Sequence, residues 1–497
     1  MSKMAQEKTS PDSKITQYVS NVDRDVYTVS NIPEEVIAVI FAYVSRSPKS
    51  FRDNIGVVIE EEQLGQERAS KFHEKWVLNY GHASVAEHAT VHIGIERVSR
   101  LFSSVLELSN EFLSFTEYSQ RYQKPVKGDF YIPGELYTEK SLLNEYIELN
   151  NYQYDVYSKL NDILFSYLKN TFPVPDGKEE KPHYRALEKI AFEDARYALG
   201  LATYTNLGMT ANARAIEDCL TKLLSSKYPE VRKRAAEIKE EVRFSVPTLV
   251  KYADENEYLK NVSEEFGKFT LEGISDDLNN LSGQNVELIH WTGMGCPDPE
   301  DFALRMMVKA ILFEHSHRSY KEISDFVDNL SFDEVLSNLH KAIDCINKYD
   351  NPVNAFKYIK YEAEFIISEA CWHQLLRHRK IDWVYQEPSI YSGVTIPPNI
   401  NSADAGHLLC DVIERSELLY ENLKNEGMEE VAEYVVTNAH NRRVIGSFDL
   451  WELYHLINLR MSEGAQWDIK NVTNQLSEII KGWHPRLVEP ALKRVTI

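Results

Sequence analysis

Cysteine is scarce in this chain and never paired. Cys219, Cys296, Cys345, Cys371 and Cys410 are scattered with no C-x-x-C spacing, which argues against a zinc site or a disulfide frame and points to reduced thiols. Long apolar runs are missing too: the longest, "VIAVIFAYV" at 36–44, is about half of what a bilayer span needs. The opening "MSKMAQEKTSPDSK" is polar throughout, so no secretory signal is expected there. Positive charge is also in short supply. The formal net charge is −21, and so acidic a surface is no template for nonspecific nucleic-acid binding. No H-E-x-x-H, P-loop or strong Ser-His-Asp signature occurs. "GMGCPD" at 293–298 lacks the third glycine and the preceding strand of a dinucleotide loop. What remains is the expectation of a cytoplasmic enzyme with no membrane or nucleic-acid partner.

What the chain does have is length and repetition. Its 497 residues, 43% of them hydrophobic, can bury a sizeable core, and two domains are expected. "SNIPEEVIAVIFAYV" offers Ser30 or Asn31 as a cap, Pro33, then Glu34 and Glu35. "CPDPEDFALRMMVKAILFE" offers Asp298 as a cap, Pro299, then Glu300 and Asp301. Both helices finish on matching tails, "SPKSFRDNI" and "SHRSYKEIS". A strand pattern at Ala89–Glu96 has its counterpart in "AFKYIKYEAEF". Loops ending in "FYIP" and "VTIP" follow, and each half closes on long helical segments. This order predicts a diverged internal duplication.

Three stretches carry candidate chemistry. In "QLLRHRK" (374–380) a histidine lies between two arginines. On a continuing helix Arg377 and Arg379 would be about 200° apart, which suits two ligands or an interface. A solvated basic helix end is the plain alternative. In "EYSQRY" (117–122), Glu117, Ser119 and Arg121 alternate and share a side if the segment is extended. A hydroxyl beside a guanidinium fork suits a phosphate, and a carboxylate suits sugar hydroxyls, although alternating polar residues more often mark the wet face of a strand. "YGHASVAEH" (80–88) contains His82 and His88, whose spacing is no helical metal pair, so no metal is expected.

Together these pieces resemble the flavin-dependent thymidylate synthase family. "YGHASVAEHATVHIGIERVSR" matches its Gly-His-x-Ser…Glu-His segment, Arg377–Arg379 its Arg-His-Arg signature, and "HLINLRMSEGAQWDIK" its late Leu-Arg…Ala-Gln pattern. Each half resembles one family domain. The resemblance therefore implies an α+β fold of two tandem copies, each a mixed sheet flanked by helices. The implied division is a disordered polar tail over 1–25, a first copy over 26–253, an acidic connection over 254–284, and a second copy over 285–497.

The two copies depart from the family pattern in complementary ways. The first keeps the nucleotide loop (Glu117, Ser119, Gln120, Arg121), a substrate-phosphate arginine (Arg196), and His82, Ser84, Asn212 and Arg214 as flavin contacts. Its Arg-His-Arg has become Ser109–Glu111 and its late arginine Leu223. The second keeps Gln374, Arg377, His378, Arg379, His455 and Arg460. Its loop has decayed to "QEPSIYSG", with Tyr391 for the arginine, Glu433 stands in place of Arg196, and "DLW" replaces "NAR". The resemblance implies retained catalysis, with each half supplying one side of a shared site and a homodimer forming a pseudo-tetramer. Arg460 would be catalytic. Gln374 and Arg377 would join the first copy's loop and Arg196 in binding dUMP, and Arg377, His378, Arg379 and His455 would join its other contacts in holding FAD. Methylenetetrahydrofolate would donate the carbon and NADPH would restore the flavin. Two rivals remain: a methylase of another pyrimidine nucleotide, and a non-catalytic nucleotide-binding pair.

Overall fold

A computed structural model describes residues 15–43, 47–59, 83–267, 285–348 and 350–496. Among them, seven strands form two antiparallel sheets. β1 (Thr90–Ser99), β2 (Ser114–Glu117) and β3 (Tyr204–Asn212) lie in the order β1-β3-β2. β4 (Val286–Trp291), β5 (Lys360–Ser368), β6 (Asp382–Tyr385) and β7 (Asn441–Asp449) lie in the order β4-β5-β7-β6.

Strands pass directly into helices at capping side chains. Ser99 accepts from the Phe102 N–H and opens the helix Arg100–Leu108; Ser368 accepts from Cys371 and opens Glu369–Leu375. Asn212 and Asp449 do the same for Ala213–Leu224 and Leu450–Arg460. The ladders repeat as well. Asn212 faces Thr90 and Thr210 faces Ser114; Asp449 faces Lys360 and Ser447 faces Asp382. From β3 to β7 both positions advance by 237 (212 to 449, 210 to 447), so the expected duplication is present in the register itself. The expected cap Asp298 accepts from Asp301 and opens the helix Pro299–Glu314.

The chain packs as two compact units that cut across the two repeats. One comprises Met1–Tyr118 and Tyr204–Glu272, the other Ser119–Thr203 and Gly273–Ile497. In the first unit, Val91, Ile95, Leu207, Met209 and Ala211 are buried on one sheet face, against Arg100–Leu108 and Ala213–Leu224. On the other face His92, Gly94 and Gly208 are exposed among the described residues. Residues 1–14 of the expected tail lie outside the described residues. Residues 15–25 are not disordered, since Ile15 and Val19 are buried with Ile32, Val36, Ile40 and Ile55. Of the acidic connection, Glu257–Gly267 is helical and 268–284 lies outside the described residues.

The second unit contains the four-stranded sheet and two long helices, Lys140–Thr171 and Gly406–Asn425, one from each repeat. Their apolar faces meet in a core that includes Leu160, Leu164, Leu187, Leu409 and Val412, each such side chain contributing about 1.5–3 kcal/mol of burial. Beside them each repeat pairs with its own copy. The Leu201 N–H donates to the Val436 carbonyl at 2.9 Å and the Asn438 N–H to the Leu199 carbonyl at 2.8 Å. These positions are again 237 apart, the internal counterpart of a two-fold subunit contact. Among the described residues, no helix is long and apolar enough to cross a membrane.

One glycine tests the packing of the second sheet. A Cβ on Gly446 would lie 2.7 Å from Trp383 Cζ3 and 2.9 Å from Ile381 Cγ2, whereas at Gly208 the nearest atom is 4.0 Å away. Gly446→Ala is expected to cost about 1–3 kcal/mol in urea unfolding, and Gly208→Ala to stay within about 1 kcal/mol of the parent. Equal stability of the two variants would contradict this packing.

Candidate active site

The second unit joins residues of both repeats in one hydrogen-bonded network. β2 ends at Glu117, so the expected alternation of Glu117, Ser119 and Arg121 stops there. Ser119 instead opens a turn. Its Oγ takes the Arg121 N–H at 3.3 Å, and its carbonyl takes those of Tyr122 and Gln123, a local bond that competes with the strand ladder. The turn aims Arg121 inward, where its Nε donates to Glu193 at 2.7 Å and its Nη2 to the Gly464 carbonyl at 3.1 Å.

Gln120, next to it, is buried. Its Oε1 accepts from Asn438 Nδ2 at 3.2 Å, and the same amide donates to the Arg196 carbonyl at 2.9 Å. Arg196 is buried where the helix Glu180–Ala195 tightens into a 3-10 turn, its Nη2 3.5 Å from the Ala370 carbonyl. That carbonyl also accepts from Gln374 Nε2 at 3.1 Å. Gln374 Nε2 continues to Gln466 Oε1, Gln466 Nε2 donates to the Tyr197 hydroxyl, and Tyr197 donates to Asp468 at 2.7 Å.

The helix holding Gln374 stops at Leu375 with Leu376 as its cap, so Arg-His-Arg lies in a turn and not on a helix. This corrects the reading of two arginines on opposite helix faces. Arg377 is half-buried with its Nε on the His373 carbonyl, His378 is buried, and Arg379 is exposed. Arg460 closes the helix Leu450–Arg460. Its Nη2 donates to the Gln374 carbonyl at 2.7 Å and its Nε to His378 Nε2 at 2.9 Å. Burial, with the charges of Arg377 and Arg121 added and Cys371 partly offsetting, holds its pKa down at about 10. It stays cationic at neutral pH.

Three guanidiniums thus gather within one unit of a chain of net charge −21, with Glu193 paired to Arg121. Two buried amide atoms there, Gln120 Nε2 and Gln374 Oε1, have no hydrogen-bond partner among the described residues. An orphaned polar atom costs about 1–3 kcal/mol, and a bound polar ligand relieves that cost. His455 is exposed on the same unit, its ring 5.5 Å from that of His378. The ligand-type atoms of His378, Glu452 and His455 lie within 4.8 Å of one another. Both His378 nitrogens are taken, however, by Glu452 and Arg460, so Glu452, His378 and Arg460 form a hydrogen-bond relay that leaves His378 no lone pair for a metal.

Other sequence candidates lie in the first unit. The Glu117 carboxylate is buried on Arg100 and on Thr205 Oγ1. Ser84 is exposed in the short turn Ala83–His88, Asn212 is engaged as a helix cap, and Arg214 is exposed and paired with Glu87. His82 lies outside the described residues. Asn438, Glu193, Tyr197, Asp468 and Glu452 were not anticipated as site residues. Gln466 alone carried a signal, as the glutamine of the "AQW" run.

The family model for thymidylate synthase complementing protein matches residues 26–248 and 308–486. The chain belongs to this family. A UPF0159 protein of Chlamydia pneumoniae is 22% identical over 493 residues, 94% of this chain and 91% of its own. Another, from Thermoplasma acidophilum, is 24% identical across 90% and 93%. A flavin-dependent thymidylate synthase of Clostridium tetani is 29% identical over 222 residues, 44% of this chain and 82% of its own. The family thus includes relatives of this full length, and most of a shorter synthase corresponds to about half of it.

Gln466 supports the network from beneath, since its Oε1 also caps the helix Trp467–Trp483 by accepting from Asp468 and Ile469. Gln466→Ala is expected to destabilise by about 1–3 kcal/mol, measured by chemical denaturation. Parental stability would show that the cap and the buried bond to Tyr197 are dispensable.

Proposed function

We propose that this protein is a flavin-dependent thymidylate synthase. It converts dUMP to dTMP by reductive methylation, with methylenetetrahydrofolate as carbon donor, FAD as cofactor and NADPH as reductant. One observation carries the reading: a hydrogen-bonded network connects Gln120 and Arg196 of one repeat to Gln374 and Arg460 of the other, and Arg121 of the first repeat separately reaches the Gly464 carbonyl of the second. The resemblance assigns those two sets to opposite sides of a nucleotide site, and each repeat has kept only one set.

On this reading Arg121 and Arg196 take the phosphate, their planar forks matching its oxygens. Glu193 and the Gly464 carbonyl hold the Arg121 guanidinium in place beforehand, and Ser119 shapes the turn that carries it. Arg377 adds charge to the pocket. Gln120 Nε2 and Gln374 Oε1 offer one donor and one acceptor to base or sugar. Arg460 lies against the pyrimidine edge, where its charge stabilises the negative charge that builds on N3 and O4 as C5 becomes a nucleophile. Glu117, committed to Arg100, acts by fixing the entry to the loop.

The donor set suits FAD. Of the residues the resemblance names for FAD, Arg377, Arg379 and His455 are on the second unit and are of the kinds that hold a pyrophosphate and ring edges. Ser84, Asn212 and Arg214 are on the first, His82 lies outside the described residues, and His378, with both ring nitrogens engaged, would act through Arg460 and not touch the flavin. When bound, the flavin supplies the reducing equivalents for the transferred one-carbon group. No cysteine nucleophile is called for: Cys371, near the pocket, is fully buried, and burial drives its pKa well above the ordinary thiol range. The same reading takes 26–253 and 285–497 as the two copies, 254–284 as their connection, and a cytoplasmic homodimer as the working form.

Purified protein is expected to show flavin absorbance and to form dTMP from dUMP in preference to products from UMP or dCMP. Arg460→Ala should fold and lose about 10²–10³ in rate. Arg121→Ala should raise KM for dUMP roughly 10–100-fold, as loss of a charge-assisted bond predicts. Absence of flavin after reconstitution, or parental turnover by Arg460→Ala, would overturn the proposal.

A further inference from the structure

The orientation of Arg460 depends on a proton two residues away in space. A guanidinium nitrogen only donates, so His378 Nε2, 2.9 Å from Arg460 Nε, must present a lone pair. The ring proton then sits on Nδ1, which faces Glu452 Oε1 at 2.8 Å. An imidazolium fails the same donor count. Burial, with the charges of Arg460 and His455 added, also holds the His378 pKa well below its ordinary value. The two side chains are only 1% and 2% exposed, so the pair is shielded from solvent.

We infer that Glu452 is a positioning residue for Arg460, acting through His378: by keeping the ring proton on Nδ1, it turns the Nε2 lone pair toward the Arg460 guanidinium. The Gln374 carbonyl fixes Nη2 from the other side, and neither contact uses Nη1. The inference rests on the synthase reading, in which Arg460 meets the pyrimidine. Without Glu452 either ring nitrogen can carry the proton. In the Nε2–H form two donors collide and the guanidinium must move.

The first repeat is an internal control. The register that sets Asn212 at the place of Asp449 sets Ala215 at Glu452 and Leu223 at Arg460. Arg-His-Arg there has given way to Ser109–Glu111. Arginine, histidine and carboxylate have gone together, as parts of one device would.

Glu452 also faces His455 and Asp449 on its own helix and Lys380 beyond the Arg-His-Arg turn. Burial, first among these influences, lifts its carboxyl to about 7. Above that value it is ionised and can only accept; below it the carboxyl gains a proton to donate, and the tautomer is no longer dictated. Activity resting on this contact is present above about pH 7 and lost as pH falls through it.

The test compares Glu452→Met, which removes the acceptor, with Glu452→Gln, which restores an acceptor without the charge. Folding is checked by circular dichroism. The tautomer is read from ¹⁵N spectra of ring-labelled histidine, with the His378 signal assigned by its loss in His378→Asn. Parent protein should show Nδ1–H. Glu452→Met should shift toward Nε2–H and lose about 10²-fold in kcat, as expected for a displaced catalytic group. Glu452→Gln should recover the tautomer and much of kcat but lose the limb near pH 7. Parental kcat in Glu452→Met, an unchanged tautomer there, or Nε2–H in the parent would overturn the inference. The tautomer is read without substrate. If no form of the protein makes dTMP while the tautomer shifts as described, the synthase reading fails and the His378–Glu452 contact stands.

Discussion

The antiparallel contact between 199–201 and 436–438 determines where the rest of the site can be. Its backbone bonds pair each repeat with its own copy, and one of its residues does more. The Asn438 main chain bonds Leu199, while its side-chain amide bridges Gln120 Oε1 and the Arg196 carbonyl. That single residue ties Gln120 and Arg196 of the first repeat to the strand entry of the second. Arg196 then faces the Ala370 carbonyl, which Gln374 also uses. This contact between the two repeats is intramolecular. The parts on its two sides are therefore held at a fixed local concentration without any association step.

Electrostatics explains why only one such pocket survives. Burial, with the charges of Arg377 and Arg121 added, disfavours the charge on Arg460, and an anion beside it would relieve that cost. At the related position the second repeat has removed the need. Tyr391 replaces the loop arginine, and its hydroxyl is satisfied within the protein, donating to Glu421 at 2.9 Å and accepting from Lys424 at 2.8 Å. Buried Glu433 stands where Arg196 would be, and a phosphate there would meet a carboxylate. One copy keeps a cluster of guanidiniums with orphaned amide atoms beside it. The other has settled into neutral pairs that ask for no ligand.

Local signals were legible in the sequence wherever local physics decided the outcome. The alternation of Val91, Ile93 and Ile95 gave a strand, Asp298 before Pro299 gave a helix start, and matching tails gave the duplication. Distant partners decided the rest. Nothing near "EYSQRY" says that the strand ends at Glu117, because Ser119 trades its ladder bond for a turn that only Glu193 and Gly464 make worthwhile. Nothing in "QLLRHRK" says that the helix ends at Leu375, because the inward turn of His378 answers to Glu452, 74 positions on. The assignment of 119–203 to the second unit is equally invisible to composition, since it follows from the pairing of two segments 237 positions apart.

Fusion also changes what a residue is free to become. In a symmetric assembly of identical chains every position serves all copies of the site, so a carboxylate such as Glu452 would have to be harmless wherever its helix appears. Here each repeat has one environment. Helix Leu450–Arg460 carries Glu452 and Arg460, both bonded to His378 of the Arg-His-Arg turn, with the His455 ring beside it. Its counterpart Ala213–Leu224 carries Ala215 and Leu223 at two of those places and buries both in a core. Burying alanine and leucine stabilises the first unit, whereas burying the Glu452 carboxyl and the Arg460 guanidinium costs desolvation that packing alone does not return. A protein that keeps such a pair in only one of two equivalent helices is keeping it for something other than stability.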